Sequence, residues 1–171
     1  MLAFVHVLVF LAAAAAPPAA TSQLPVVSEG KLAAVALMDV RRASPEEIAE
    51  CGPGAADGLT LAVLVRPIDA PIEVTFSPNV ETTIDRQPYR PKAGAEGARP
   101  RLVALDVEDL FQRRPELASR VPAGFKPHLA VLITIPGDTL PESGQVDFAM
   151  KAGYHKQIEP FSFTFALPKS L

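Results

Sequence analysis

Cys51 is the only thiol in the chain, and it sits in Cys51-Gly52-Pro53-Gly54. A dithiol redox pair would need a second cysteine three residues on, where Gly54 stands. A reactive thiolate also needs the positive end of a helix dipole or a neighbouring cation. Cys51 instead follows Ser44-Pro45-Glu46-Glu47, a helix start with Ser as cap, Pro at the first position and Glu at the third. It therefore closes that helix beside three glutamates, and the expected role is an inert or buried thiol. His128 opens an apolar run, His155 falls in a turn, and neither has the spacing of a metal ligand. No Gly-x-Ser-x-Gly elbow is present. Glu46/Glu47 and Glu108/Asp109 fall in first helical turns, where negative charge offsets the dipole instead of doing acid–base work. No catalytic residue, metal site or cofactor is expected.

The densest group of interacting side chains is basic. From Arg86 to Arg101 the chain holds Arg86, Arg90, Lys92, Arg99 and Arg101 against one acid, Glu96, with Tyr89 among them. Residues 87–101 are rich in Pro, Gly and Ala and lack apolar periodicity, which predicts a flexible loop joining two strands. Loops held by a rigid sheet commonly carry binding, so these residues are the first candidate contacts. Tyr154 and His155, in the expected turn Gly153-Tyr154-His155-Lys156, are the second. A net charge of −3 opposes a phosphate-tracking role on nucleic acid. The expected partner is an envelope or extracellular protein, or an anionic surface.

That expectation of address comes from the N-terminus. Met1 to Ala16 contains no Lys, Arg, Asp or Glu, and the first charged side chain is Glu29. An apolar stretch of this length closed by small residues has the form of an export signal, with cleavage after Ala20-Thr21-Ser22. A membrane span needs about 20 apolar residues. The alternative is an apolar first strand or helix of the domain itself. With residues 1–22 removed as a signal peptide, residues 23–171 make one domain, periplasmic or secreted, with no second apolar run to anchor it. A single cysteine leaves it without an internal disulfide.

Proline supplies the punctuation. There are 18 prolines in 171 residues, and they bracket apolar runs, as expected of a residue that cannot donate to a ladder. The runs are Gly58–Arg66, Ile72–Ser77, Arg101–Asp106, His128–Ile135, Ser143–Lys151 and Phe161–Leu167. Ile72-Glu73-Val74-Thr75-Phe76-Ser77 and Phe161-Ser162-Phe163-Thr164-Phe165 alternate apolar and polar, the period of a half-buried antiparallel strand. Leu59–Val65 and Leu129–Ile135 are almost continuously apolar, as central strands are. Lys31–Arg41 is read as the first strand, Pro136-Gly137 as a type II turn, and Asp57 and Asp138 as turn residues. One short helix follows Ser44; a second starts at Asp106 and restarts at Pro115, with Leu110, Phe111, Leu117 and Val121 inward. The fold class is all-β: an antiparallel β-sandwich, immunoglobulin-like in the broad sense, with one or two short helices.

The expected function is a non-enzymatic binding or assembly module that makes contacts through its loops. Two rivals remain open: a carrier whose Phe161/Phe163/Phe165 stripe lines an apolar or lipid-binding cavity, and a hydrolase with scattered groups such as His128 with an Asp.

Overall fold

The computed structural model describes residues 23–68, 75–76, 81–91, 97–154 and 157–169. In chain order they form β1 (Val26–Glu29), β2 (Ala33–Arg42), α1 (Pro45–Glu50), β3 (Asp57–Pro67), β4 (Thr75–Phe76), β5 (Glu81–Ile84), β6 (Gln87–Pro88), β7 (Arg101–Leu105), α2 (Val107–Arg113), α3 (Pro115–Ala118), β8 (Leu129–Gly137), β9 (Gln145–Tyr154) and β10 (Gln157–Ala166). The first sheet has the order β1-β2-β3-β8-β7; the second runs β10-β9-β5-β6, with β4 also paired to β9. Every pairing is antiparallel. The architecture is an all-β sandwich with a few short helices.

Alternation in β9 and β10 dictates the second sheet. Val146, Phe148 and Met150 of β9 and Phe161, Phe163 and Phe165 of β10 are buried, and the residues between them lie on the outer face. The aromatic stripe packs in one cluster with Leu59, Leu61, Val63 and Val65 of β3, and the Phe148 and Phe163 rings stack at 6.3 Å. This stripe fills the space between the sheets.

The inner strands of the first sheet, β2, β3 and β8, are buried on both faces, which explains the unbroken apolar runs of β3 and β8. Val35, Leu37, Leu61, Val63 and Ile133 face the second sheet. Ala34, Ala36, Met38, Ala62, Leu64 and Ala130 form a separate core with Leu110 of α2 and Leu117 of α3. Both leucines are fully buried, and Phe111 and Val121 pack partly buried beside them, as their spacing predicts. Alanine on this side of the sheet lets the helices approach closely.

A β-bulge makes the two faces compatible with the charges in β2. Leu37 pairs with Val63 and Asp39 with Ala62, so Met38 is the extra residue. Without it Asp39 would share the parity of Val35 and Leu37 and point into the sandwich. With it Val40 takes the core position, and Asp39 lies 2.8 Å from Arg114 and 3.7 Å from Arg120, at the two ends of α3. Arg41, next on the same face, pairs with Glu47 of α1. That helix begins with the expected reciprocal cap: Ser44 Oγ accepts from Glu47 N–H, and Glu47 accepts from Ser44 N–H. Gly52, at φ +103°, stops it.

Three expectations need correction. The strand expected first, over Lys31–Arg41, is the second, because Val26–Glu29 pairs outside it. Pro136-Gly137 is not a turn but the end of β8, opposite Gly58 and Asp57. The last pair between β7 and β8 is Arg101–Thr134, so a proline beyond it breaks no ladder bond on that side. Asp57 opens β3 and is not a turn residue. Of Ile72–Ser77 only residues 75 and 76 are described, and both are strand. The leader expected over residues 1–22 lies outside the described residues. Among those described, no helix is long and apolar enough to cross a membrane.

The bulge generates a prediction. Asp39→Ala leaves Arg114 and Arg120 without their shared carboxylate and should cost about 2 kcal/mol in urea unfolding, the scale of charged hydrogen bonds. Proteolysis should be faster across residues 107–120 than elsewhere. A loss below about 0.5 kcal/mol would place the pair with ordinary surface bridges.

Candidate functional site

The strand registers gather Arg42, Asp57, Gly137, Gln145, Ala166 and the β5–β6 turn at one end of the sandwich. Contacts between the sheets lock this end. Arg42 lies 3.4 Å from Asp57 and donates to Pro141 O at 2.5 Å and Pro168 O at 3.3 Å. Asp57 also accepts from Leu140 N–H. Strand β2, strand β3, the connection after β8 and the C-terminal segment are thereby tied at one point.

The basic segment begins in the β5–β6 hairpin. Ile84 pairs with Gln87, leaving a two-residue turn, Asp85-Arg86, with φ +49° and +66°. Positive φ at both central residues is the backbone of a type I′ turn, whose usual sequence is Asn-Gly. Gln87 and Pro88 are strand, so the loop expected over 87–101 starts inside the second sheet. Tyr89 N–H then donates to Thr82 O, and Arg90 O accepts from Asp138 N–H. Residues 92–96, including Lys92, lie outside the described residues. Beyond them Arg99 N–H donates to Cys51 O, and Arg101 opens β7 with its guanidinium 2.7 Å from Glu50.

Tyr89 is the fixed point of this segment. Its hydroxyl donates to Asp138 O at 2.9 Å. Its ring lies so close to Gly137 that a Cβ there would clash with Cζ and force the ring to move. Glycine at 137 thus makes the slot, and the ring bridges from the second sheet to the end of β8. Burial, then the nearby Asp57 and Asp138 carboxylates, push the phenol well above its ordinary value against the opposing effect of Arg42. The ring is a structural wedge rather than a free aromatic contact.

The arginines divide cleanly. Arg41, Arg42, Arg66, Arg101, Arg114 and Arg120 each hold a carboxylate. Arg86, Arg90 and Arg99 are exposed and make no ion pair among the described residues. Arg113 is the fourth such arginine, and it sits in the last turn of α2, where a cation offsets the dipole.

The second candidate, Tyr154 with His155, does not join this group. Tyr154 is at the far end of ten-residue β9 from Gln145, so about 30 Å separates it from the Asp85-Arg86 end. His155 lies outside the described residues. His128 is exposed, donates its backbone N–H to Val65 O, and makes no ion pair among the described residues. Cys51 is 6% exposed with Sγ 4.0 Å from Thr134 O. Burial raises its pKa, and the charge of Arg101 opposes that only in part. No group of three His, Cys, Asp or Glu residues placed to hold a metal occurs among the described residues.

Two predictions follow from Tyr89 and Cys51. Tyr89→Phe should cost about 1 kcal/mol at pH 8, one neutral hydrogen bond. An unfolded tyrosine ionises near pH 10, whereas folded Tyr89 keeps its proton, so stability from this group is complete below about pH 10 and falls above it. The gap between wild type and Tyr89→Phe in urea midpoints should therefore narrow between about pH 9 and 11; a constant gap would contradict the burial argument. Cys51 should react with an aromatic disulfide reagent on the order of 100-fold more slowly in the native chain than in urea. Equal rates would mean that the thiol is accessible.

No protein-family model matches the chain, and neither the curated proteins nor the solved structures give a match.

Proposed function

We propose that this protein is a binding or assembly module of the cell envelope or extracellular space, exported by its N-terminal leader and making contacts through the segment from Arg86 to Arg101. One observation carries the reading: three of the four described arginines without an ion pair lie in this segment, at one end of the sandwich, while six others are engaged. An unpaired, exposed guanidinium retains all its donors for a partner's carboxylate or phosphate. Tyr89 and the backbone bond from Arg99 to Cys51 fix the two ends of the segment, which lowers the entropy that binding would otherwise cost. The groups that could have done chemistry are occupied elsewhere: Cys51 is buried, and the phenylalanine stripe is core.

The test is a capture experiment from envelope extract with wild type and Arg86→Ala/Arg90→Ala/Arg99→Ala. These side chains are exposed and hold no ion pair among the described residues, so the variant should melt within about 2 °C of wild type and lose the captured partners. An unchanged partner set from a folded variant would reject the segment as the contact site.

A further inference from the structure

We infer that Arg86 is the anchor of this contact surface, kept at the expense of stability, and that its partner is a carboxylate-rich protein segment; the inference rests on the proposed role of the Arg86–Arg101 segment. Both residues of the β5–β6 turn have positive φ. Asp85 has a local reason to be there. Its N–H donates to Gln145 O and its Oδ1 accepts from Gln145 N–H, both at 2.8 Å, so the aspartate ties the turn to β9. Aspartate also tolerates the left-handed region better than most residues.

Arg86 has no such reason. At φ +66° it occupies the position that glycine fills without a Cβ penalty. Its side chain is exposed and makes no hydrogen bond or ion pair among the described residues. A bulky residue in a strained turn, with nothing inside the fold to compensate, points to a demand from outside the fold. The guanidinium supplies that demand's chemistry, a planar fork that fits a carboxylate or phosphate.

The surroundings select among anionic partners. Asp85, next to Arg86 in the turn, and Glu142 are exposed at the same end, so a sheet of anionic headgroups would meet like charge there as well. The large hydrophobic residues exposed among the described ones are Val27, Ile68 and Ile158. Val27 is on the outer strand β1, Ile68 follows the far end of β3, and Ile158 pairs with Gly153 at the far end of β9. None is at this end to insert into a bilayer. An acidic segment can place its carboxylates against Arg86, Arg90 and Arg99 and avoid Asp85 and Glu142; a lipid surface cannot.

Fluorescence anisotropy of a labelled glutamate oligomer, titrated with the full chain at low salt, reads the anchor directly. Arg86→Gly should weaken binding about 10-fold and raise the melting temperature by about 2 °C, the shift expected for relief of one strained residue in a chain of this size. Arg86→Lys keeps the strain and the charge but not the fork; it should melt with wild type and bind about 3-fold more weakly. If Arg86→Gly binds as wild type does while Arg90→Ala/Arg99→Ala loses binding, the segment stands as the contact site and the anchor is disproved. If every variant binds as wild type does, the segment reading falls as well. No binding of the oligomer by wild type, or tighter binding to phosphatidylglycerol vesicles than to the oligomer, overturns the carboxylate partner.

Discussion

The fold depends on burying one sheet on both faces. β2, β3 and β8 carry no free surface along most of their length, so each of their side chains must suit either the aromatic stripe of the second sheet or the two helices outside. The helix side accepts alanine, methionine and leucine; the sandwich side takes larger, branched residues. Within β2 charge begins at Asp39, opposite Ala62 in the middle of β3, and the Met38 bulge is the device that admits it to the helix side. There it meets Arg114 and Arg120, and the helical layer is fastened to the sheet it covers. A one-residue change of register would put the carboxylate among phenylalanines, where an unpaired charge is far more costly than any gain from the pair.

The same constraint leaves exposed charge to the periphery of the first sheet. The outer face of the second sheet carries Glu81, Thr83, Asp147, Lys151, Ser162 and Thr164 around shallow hollows. Two hollows meet at Glu81 and Ala149 on this face: one, bordered by Thr83, Asp147, Ser162 and Thr164, measures about 210 Å³, and the other, bordered by Lys151 and Pro160, about 280 Å³. The sandwich also has two ends. At one of them the locking contacts among Arg42, Asp57 and Tyr89 are inside, and the unpaired guanidiniums are outside.

Much of this was legible in the residue pattern, and the failures have physical causes. Continuous apolar runs named β3 and β8 as central, and alternation identified β10; Ser44-Pro45-Glu46-Glu47 located α1 with its cap. The β5–β6 hairpin was invisible because Asp-Arg replaces the Asn-Gly by which such turns are recognised. Pro136-Gly137 looked like a turn because proline is excluded from interior pairings, and no local signal told that β7 stops short of it. Gly137 is glycine for the ring of Tyr89, a contact of 48 residues' separation that a reading along the chain does not supply. The basic segment was located from composition, but not that Tyr89 serves the fold or that Arg101 is held by Glu50.

Native-state hydrogen exchange measures the two-sided burial most directly. Amides of β2, β3 and β8 should exchange only through global unfolding, as in a core closed above and below. Those of β6 and of the outer edge of β10 should exchange by local opening, orders of magnitude faster. Exchange in β3 and β8 as fast as in β6 would mean that the helical layer does not close the outer face of the first sheet, and would contradict the account.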